Sequence, residues 1–408
     1  MNMKKMLVLP LVAAVTGLVQ AGIVGDAVRP FVENGRLPGA ISIVYNNGVE
    51  QIDCVGYADV AAKRPISIDD PYMQCSQTKG FCGVTIAKLV EEGKLNLDDP
   101  VSKYLPEFKT LWVEVKSGVE GERKLVKAKN ILTVRMVLNH TGGFPFEISC
   151  KQGGVPGGGW SGGAPLRSTA AIAAASPLLF EPGTGTQYSN TGIDIGAAVV
   201  ETIVGQPWEQ YLKEEVLDPL GMKSTWFWPT DEQLARQIEM YECHQDAPAT
   251  WMLQNNMEQR PYNGRHVFAS AGAGLWTTAR DQVKFYKILM NVGIGENGVR
   301  ILKEETVKSI LALSTRPQGK AADGKDFGGY SLGLTAPVVD GENEWFGHGG
   351  AWGTYCMVNW HKRQLKLWAV QLNGGPRPWD KASADAADAF FKEKIDNSGV
   401  NAYTGRTN

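Results

Sequence analysis

The chain has no long run of one charge sign and no marked excess of either, since 41 Lys and Arg stand against 43 Asp and Glu for a formal net charge of −2. This excludes the basic footprint by which proteins hold a nucleic-acid backbone. Histidine is scarce, with five residues, and His140, His244, His266 and His361 show no metal-ligand spacing. The six cysteines, Cys54, Cys75, Cys82, Cys150, Cys243 and Cys356, contain no C-x-x-C pair, which argues against a zinc or dithiol redox site. No internal repeat is visible. Beyond the first 21 residues no apolar stretch approaches the roughly 20 residues needed to span a bilayer. What remains points to a small-molecule or peptide substrate, with no cofactor and no metal.

At 408 residues the chain has ample length for a large core, and 9% aromatic content speaks against disorder. Its start carries Lys4 and Lys5, an apolar run from Met6 to Leu18, and then Val19, Gln20 and Ala21. This is the pattern of a secretory signal peptide over residues 1–21, so a periplasmic or secreted protein is expected, without stable membrane insertion once the leader is removed. No cysteine follows the run to carry a lipid anchor. Export permits disulfides, but one pair is excluded. Cys75 and Cys82 are seven residues apart on one helix, roughly 10 Å of rise, beyond the about 7 Å Cα limit for a bridge. Buried free thiols are expected for the set.

The stretch MQCSQTKGFCGVTIAKLVEEGKLNLDDP, residues 73–100, reads as a central helix from near Ser76 to Gly93. Phe81, Cys82, Val84, Ile86, Ala87, Leu89 and Val90 make nearly every face apolar, as in a helix enclosed by protein. Gly93 suits the left-handed position past a helix end. Ser76 and Lys79 lie three apart, so hydroxyl and amine share one face of the first turn. A lysine that burial strips of its proton can activate a serine, and the helix start supplies N–H groups to a developing negative charge. Such a pair also arises by chance in a chain this long, so it counts only with partners.

Residues 22–36 read as a helix, followed by two strands, AISIVYNNG and VEQIDCVGYAD, joined by a turn at Asn46, Asn47 and Gly48. Residues 111–129 suggest a small exposed hairpin, and 131–145 a short helix ending at a Gly-Gly turn. KQGGVPGGGWSGGAP, 151–165, is a long loop. Within it Ser161 sits in G-x-S-x-G, but the strand before and helix after that such a nucleophile needs are missing. Helices are expected at 191–204, 207–217 and, capped near Thr277 or Thr278, up to 290. Strands are expected at 328–336, 342–347, 354–360 and 365–372, then a helix near 381–395. The implied fold class is α/β: a mainly antiparallel sheet built from both termini (22–84 and 261–400), with flanking helices and an inserted helical lobe at roughly 85–260, in one domain over 22–408. Trp160, Trp226, Trp228, Trp251 and Trp352 fall in loops or strand ends.

Three patches then occur in order: SQTK at 76–79, YSN at 188–190 and HGG at 348–350. With LVEEGKLNLDDPVSKYLPE, LNHTGG, EPGTGTQYSNTG, DPLGM and GLWTTARD, they closely resemble the serine β-lactamase and penicillin-binding-protein-like hydrolases. The branch is that of class C β-lactamases, D-alanyl-D-alanine peptidases and β-lactamase-like esterases. The resemblance implies Ser76 as acylated nucleophile, Lys79 as its proton acceptor, and Tyr188 as relay to the leaving group and deacylating water. For that last role a lysine ammonium is expected to lower the phenol pKa. It further implies Asn190 as a hydrogen-bond partner of substrate and Lys79, and the strand at His348, Gly349, Gly350 and Ala351 as a substrate edge, with the Ala351 and Ser76 N–H groups as oxyanion hole. Where many lactamases carry Lys-Thr-Gly, this chain has His348 and Gly349. A permanent cation becomes an imidazole, which points away from a dedicated penicillin-destroying enzyme. The reading is an exported serine hydrolase acting through an acyl-enzyme on an ester, D-Ala peptide or β-lactam. The alternatives are a silent relative binding peptidoglycan-like ligands, or an esterase using Ser161.

Overall fold

A computed structural model describes residues 22–116, 118–119, 122–148, 164–244, 247–252, 268–311, 329–336 and 345–392. In chain order the elements begin with α1 (Ile23–Glu33), β1 (Gly39–Asn46), β2 (Val49–Asp59), β3 (Arg64–Pro65) and β4 (Tyr72–Met73). A 3-10 turn, Cys75–Gln77, then leads into α2 (Thr78–Glu91). Next come β5 (Trp112–Lys116), β6 (Arg123–Lys127), α3 (Val134–Leu138), α4 (Leu166–Ala175), α5 (Asn190–Val204), α6 (Trp208–Leu212) and α7 (Asp231–Leu234). The chain continues with β7 (Tyr241–Glu242), β8 (Thr250–Trp251), β9 (Trp276–Thr277), α8 (Ala279–Met290) and α9 (Glu304–Thr306). It closes with β10 (Phe346–Gly349), β11 (Tyr355–Asn359), β12 (Gln364–Ala369), β13 (Leu372–Asn373) and α10 (Pro378–Lys392).

The main sheet runs β10-β11-β12-β1-β2-β3, antiparallel throughout, so that strands from both ends of the chain share one surface. β1 lies at its centre with Ile41 opposite Ala369 and Ile43 opposite Leu367. The β1–β2 register is set by the turn read from the sequence: Asn47 and Gly48 both have positive φ, the geometry a two-residue hairpin loop demands. Side chains of one sheet face pack with α1 and α10 around Val28, Val44, Trp368 and Trp379. Those of the other face, Ile41, Ile43, Leu365 and Leu367, join α2 and α8 in the larger core.

α2 is the buried axis of the molecule. Every residue from Asp70 to Ala87 is buried except Ser76. Phe81 stacks on Phe285 of α8 with ring centroids 3.7 Å apart, and Gly196 of α5 approaches Leu138 so closely that a Cβ there would stand 2.8 Å from its Cδ2. α5 packs against α2, α3, α4 and α6, so it joins the helical elements to α2. The exposed hairpin of β5 and β6 occurs as expected. Among the described residues no helix is long and apolar enough to cross a membrane.

The expected strand at 328–336 differs. Among its described residues, Tyr330 bridges Thr335 and Thr335 bridges Gly347, without a continuous strand. The Ser331 N–H donates to the Leu334 carbonyl at 2.8 Å, closing a tight turn. Gly333 sits there with φ +69, and a Cβ at this position would lie 2.1 Å from the Lys79 carbonyl oxygen. The segment is folded back against the start of α2, which alternation of side chains cannot reveal. Residues 1–21, Cys150, Trp160 and Ser161 lie outside the described residues. The five described cysteines are free thiols, Cys54 exposed and the others buried.

Candidate active site

Cys75 adopts a left-handed φ of +49, unusual for a residue with a side chain, and this bend presents Ser76 at the head of α2. Ser76 is half-buried, while Lys79, one turn on, is 0% exposed. Its Nζ lies 3.1 Å from Ser76 Oγ, 2.6 Å from Asn190 Oδ1 and 2.7 Å from the Gly272 carbonyl oxygen. Burial brings the Lys79 pKa down to about 7, partly offset by the negative charge of Asp194 and Glu147. All three partners accept from the Lys79 amine, and once it is neutral two N–H bonds can stay with Asn190 and Gly272 while its lone pair turns to the Ser76 hydroxyl proton. The approach of Gly272 requires its missing side chain, because a Cβ would stand 2.7 Å from Asn190 Cβ.

Tyr188 and Asn190 arrive from the entry to α5, 109 and 111 positions along from Lys79. The Ser189 hydroxyl caps that helix, accepting from the Gly192 N–H at 3.0 Å and donating to the Pro145 carbonyl at 2.7 Å. The Asn190 N–H donates to the Phe146 carbonyl at 2.9 Å, so the segment after α3 is clamped to the helix start. The Tyr188 side chain hydrogen-bonds Ser76, and its ring lies 4.6 Å from Lys79 Nζ. Contrary to the expectation of a phenol acidified by an ammonium, burial raises the Tyr188 pKa above its ordinary value, with the Ser76 bond pulling the other way. At neutral pH Tyr188 is therefore a protonated phenol.

His348 lies on β10 but is only 4% exposed. Its Nε2 is 2.8 Å from the Tyr330 hydroxyl and its Nδ1 2.5 Å from the Gly349 carbonyl oxygen. A carbonyl only accepts, so Nδ1 carries the proton and Nε2 accepts from Tyr330. Burial and the neighbouring Lys79 bring its pKa down to about 3. His348 is therefore a neutral ring with both nitrogens occupied inside the protein. The strand itself stands beside Ser76, since the Gln77 side chain donates to the His348 carbonyl at 3.1 Å. Gly349 and Ala351 are exposed and Gly350 half-buried. The Ala351 and Trp352 N–H groups reach the Cys75 sulfur, next to Ser76. Trp226, Trp276 and Trp352 pack with Cys75, Met73 and Leu234 at this side, whereas Trp251 is 52% exposed on β8 and Trp228 packs on the main core.

Three further residues were not singled out by the sequence. His140, at φ +67 just past α3, packs its ring 4.5 Å from that of Tyr188 and accepts from the Ser189 N–H at 3.2 Å. Burial holds its pKa well below the usual imidazole range. Glu147 accepts from Asn190 Nδ2 at 3.2 Å. Asp194, fully buried, accepts from the Gly272 N–H at 3.1 Å and the Ser270 hydroxyl at 3.2 Å, so it ties down the residue whose carbonyl, in the next peptide, accepts from Lys79. Burial raises its pKa to about 7. Its place four residues after Asn190, on one helix face, was the available signal. Asp194→Asn removes a negative charge that favours the Lys79 ammonium, so the acidic limb of kcat/KM should move to lower pH with a rate loss of about tenfold. A limb displaced upward in a pH–rate profile would contradict this arrangement.

A lysine and a serine paired at the head of a buried helix, with a tyrosine brought to both on an α/β sheet scaffold, define the serine hydrolases of the β-lactamase type. The chain belongs to the Beta-lactamase family, whose profile matches residues 24–389. Among curated relatives, Protein Rv1367c of Mycobacterium tuberculosis (strain ATCC 25618 / H37Rv) is 28% identical over 367 residues, covering 85% of this chain and 88% of the relative. Among solved structures, EstCE1, described as a hydrolase with promiscuous acyltransferase activity, superposes with TM-score 0.71 at 21% identity, covering 90% of this chain and 97% of that one. Simvastatin synthase (LovD) from Aspergillus terreus superposes with TM-score 0.72 at 18% identity, covering 91% and 98%.

Proposed function

We propose that the protein is an exported serine hydrolase that transfers the acyl group of an ester, and more slowly of an amide, to Ser76 and then to water. The observation that carries this is the desolvated amine of Lys79, 3.1 Å from Ser76 Oγ, with its pKa brought to about 7. In the proposed sequence, neutral Lys79 takes the Ser76 proton as Oγ bonds to the substrate carbonyl carbon. The resulting oxyanion is held by the Ser76 N–H and by the Ala351 N–H, which exchanges the Cys75 sulfur for it. The carbon–leaving-group bond then breaks as the proton passes from Lys79 through Tyr188 to the departing oxygen or nitrogen. Water attacks the acyl-enzyme, gives a proton back through the same pair, and Ser76 is released with its hydrogen.

Esters come first in this reading because a D-Ala peptide or a β-lactam presents a carboxylate, and His348 offers it no cation. Treating the mature protein with an activated fluorophosphonate and mapping the adduct by peptide mass spectrometry should place it on Ser76, with the first peptide beginning at Gly22. An adduct on Ser161 would favour the rival esterase, no adduct and no ester turnover would favour a binding protein, and a retained leader would remove the export reading.

A further inference from the structure

The basic groups around Ser76 are already engaged by the protein. Lys79 commits its nitrogen to Ser76, Asn190 and Gly272, and His348 is neutral with both ring nitrogens occupied. Glu147 stands at the same place as the opposite charge. It follows Phe146, whose carbonyl is clamped by the N–H of Asn190, and its Oε1 accepts from Asn190 Nδ2 at 3.2 Å. Its carboxylate is half-buried, and among the described residues it forms no ion pair with any Lys, Arg or His. Burial raises its pKa above the usual carboxylate value, while the Asn190 hydrogen bond and, among the described residues, the charge of Lys79 pull it back toward the ionised form. Beside it Phe146 is 47% exposed, its ring stacked nearly parallel to Tyr188 at 6.0 Å. A carboxylate in partial desolvation next to an exposed aromatic face is an arrangement that suits a cation and repels an anion.

We propose that Glu147 is a specificity-determining residue that selects substrates carrying a positive charge, an ammonium group, close to the carbonyl that Ser76 attacks. The inference rests on the hydrolase reading above. One Asn190 Nδ2 hydrogen is committed to Glu147 and Oδ1 to Lys79, so Asn190 links the nucleophile pair to the charge-selecting carboxylate. The ammonium would replace part of its hydration by Glu147 and the Phe146 ring, while a carboxylate at the same place would meet like charge.

The test uses three p-nitrophenyl esters of equal chain length: a trimethylammonium-capped butanoate, its tert-butyl-capped carbon isostere, and a carboxylate-capped analogue. For the mature wild-type protein, kcat/KM should fall in that order by about tenfold per step, the scale of one partly screened charge pair. In Glu147→Gln the ratio of cationic to neutral ester should drop by about tenfold, and in Glu147→Lys the anionic ester should overtake the cationic one. If Glu147 only positions Asn190, all three rates fall together and the ratios stay as in wild type, which overturns the proposal. Equal wild-type rates for the three esters, lost together in Ser76→Ala, overturn the charge selection and leave the hydrolase intact. Turnover of none of them overturns both.

Discussion

Ser76→Ala should lower kcat/KM for an activated ester by about 10^5-fold or more while leaving the folded state nearly as stable as wild type. The rate term follows from losing the atom that, in the proposed mechanism, bonds to the carbonyl carbon, and in serine hydrolases whose parts act as a unit such a loss is of this order. The stability term follows from the site. Ser76 is half-buried between fully buried neighbours, and its hydroxyl meets Lys79 and Tyr188. A hydrogen bond of this kind contributes on the order of 1 kcal/mol net. Steady-state hydrolysis and a thermal melt on the same preparation check both halves. Turnover within tenfold of wild type would mean that another nucleophile does the chemistry, with Ser161 the first candidate.

Lys79→Met should cost about 10^2- to 10^4-fold in kcat/KM, the range of a general base, although methionine fills the same buried slot. Tyr188 cannot take over, because burial holds its phenol protonated, and His348 is occupied at both nitrogens. The wild-type pH profile gives an independent reading. Lys79 loses its proton near pH 7 instead of at the usual 10.5, so the competent neutral amine predominates above about pH 7 and is lost as pH falls through it. The profile for an uncharged ester should therefore bend down on the acid side near pH 7 and stay flat over the next two pH units. An acid limb near pH 10 would mean a solvated lysine, and a limb unchanged in Lys79→Met would assign the ionisation elsewhere. Stability depends on the same ionisation: the folded pKa is depressed, so the unfolded chain binds more protons than the folded one between about pH 7 and the unfolded value of 10.5, and this lysine destabilises the fold progressively as pH falls through that window.

Much of this was legible in the chain. The helical period alone puts Ser76 and Lys79 on one face, the Asn47–Gly48 turn sets the first hairpin, and Thr278 caps α8, accepting from the Asp281 N–H. These are short-range facts, fixed by backbone geometry within a few residues. The failures were long-range. The strand read at 328–336 is a turn because the segment must clear the Lys79 backbone, and nothing within nine residues announces that contact.

The sequence by itself determined which residues could do chemistry and which of them begin as neighbours along a helix. Only the tertiary structure decided their charge. Lys79 loses its proton near pH 7, Tyr188 stays protonated, burial holds the His348 ring neutral with Tyr330 on its Nε2, and Glu147 accepts from Asn190. Protonation depends on how much water other segments exclude and which distant dipoles they bring, and both are properties of packing between residues far apart in the chain.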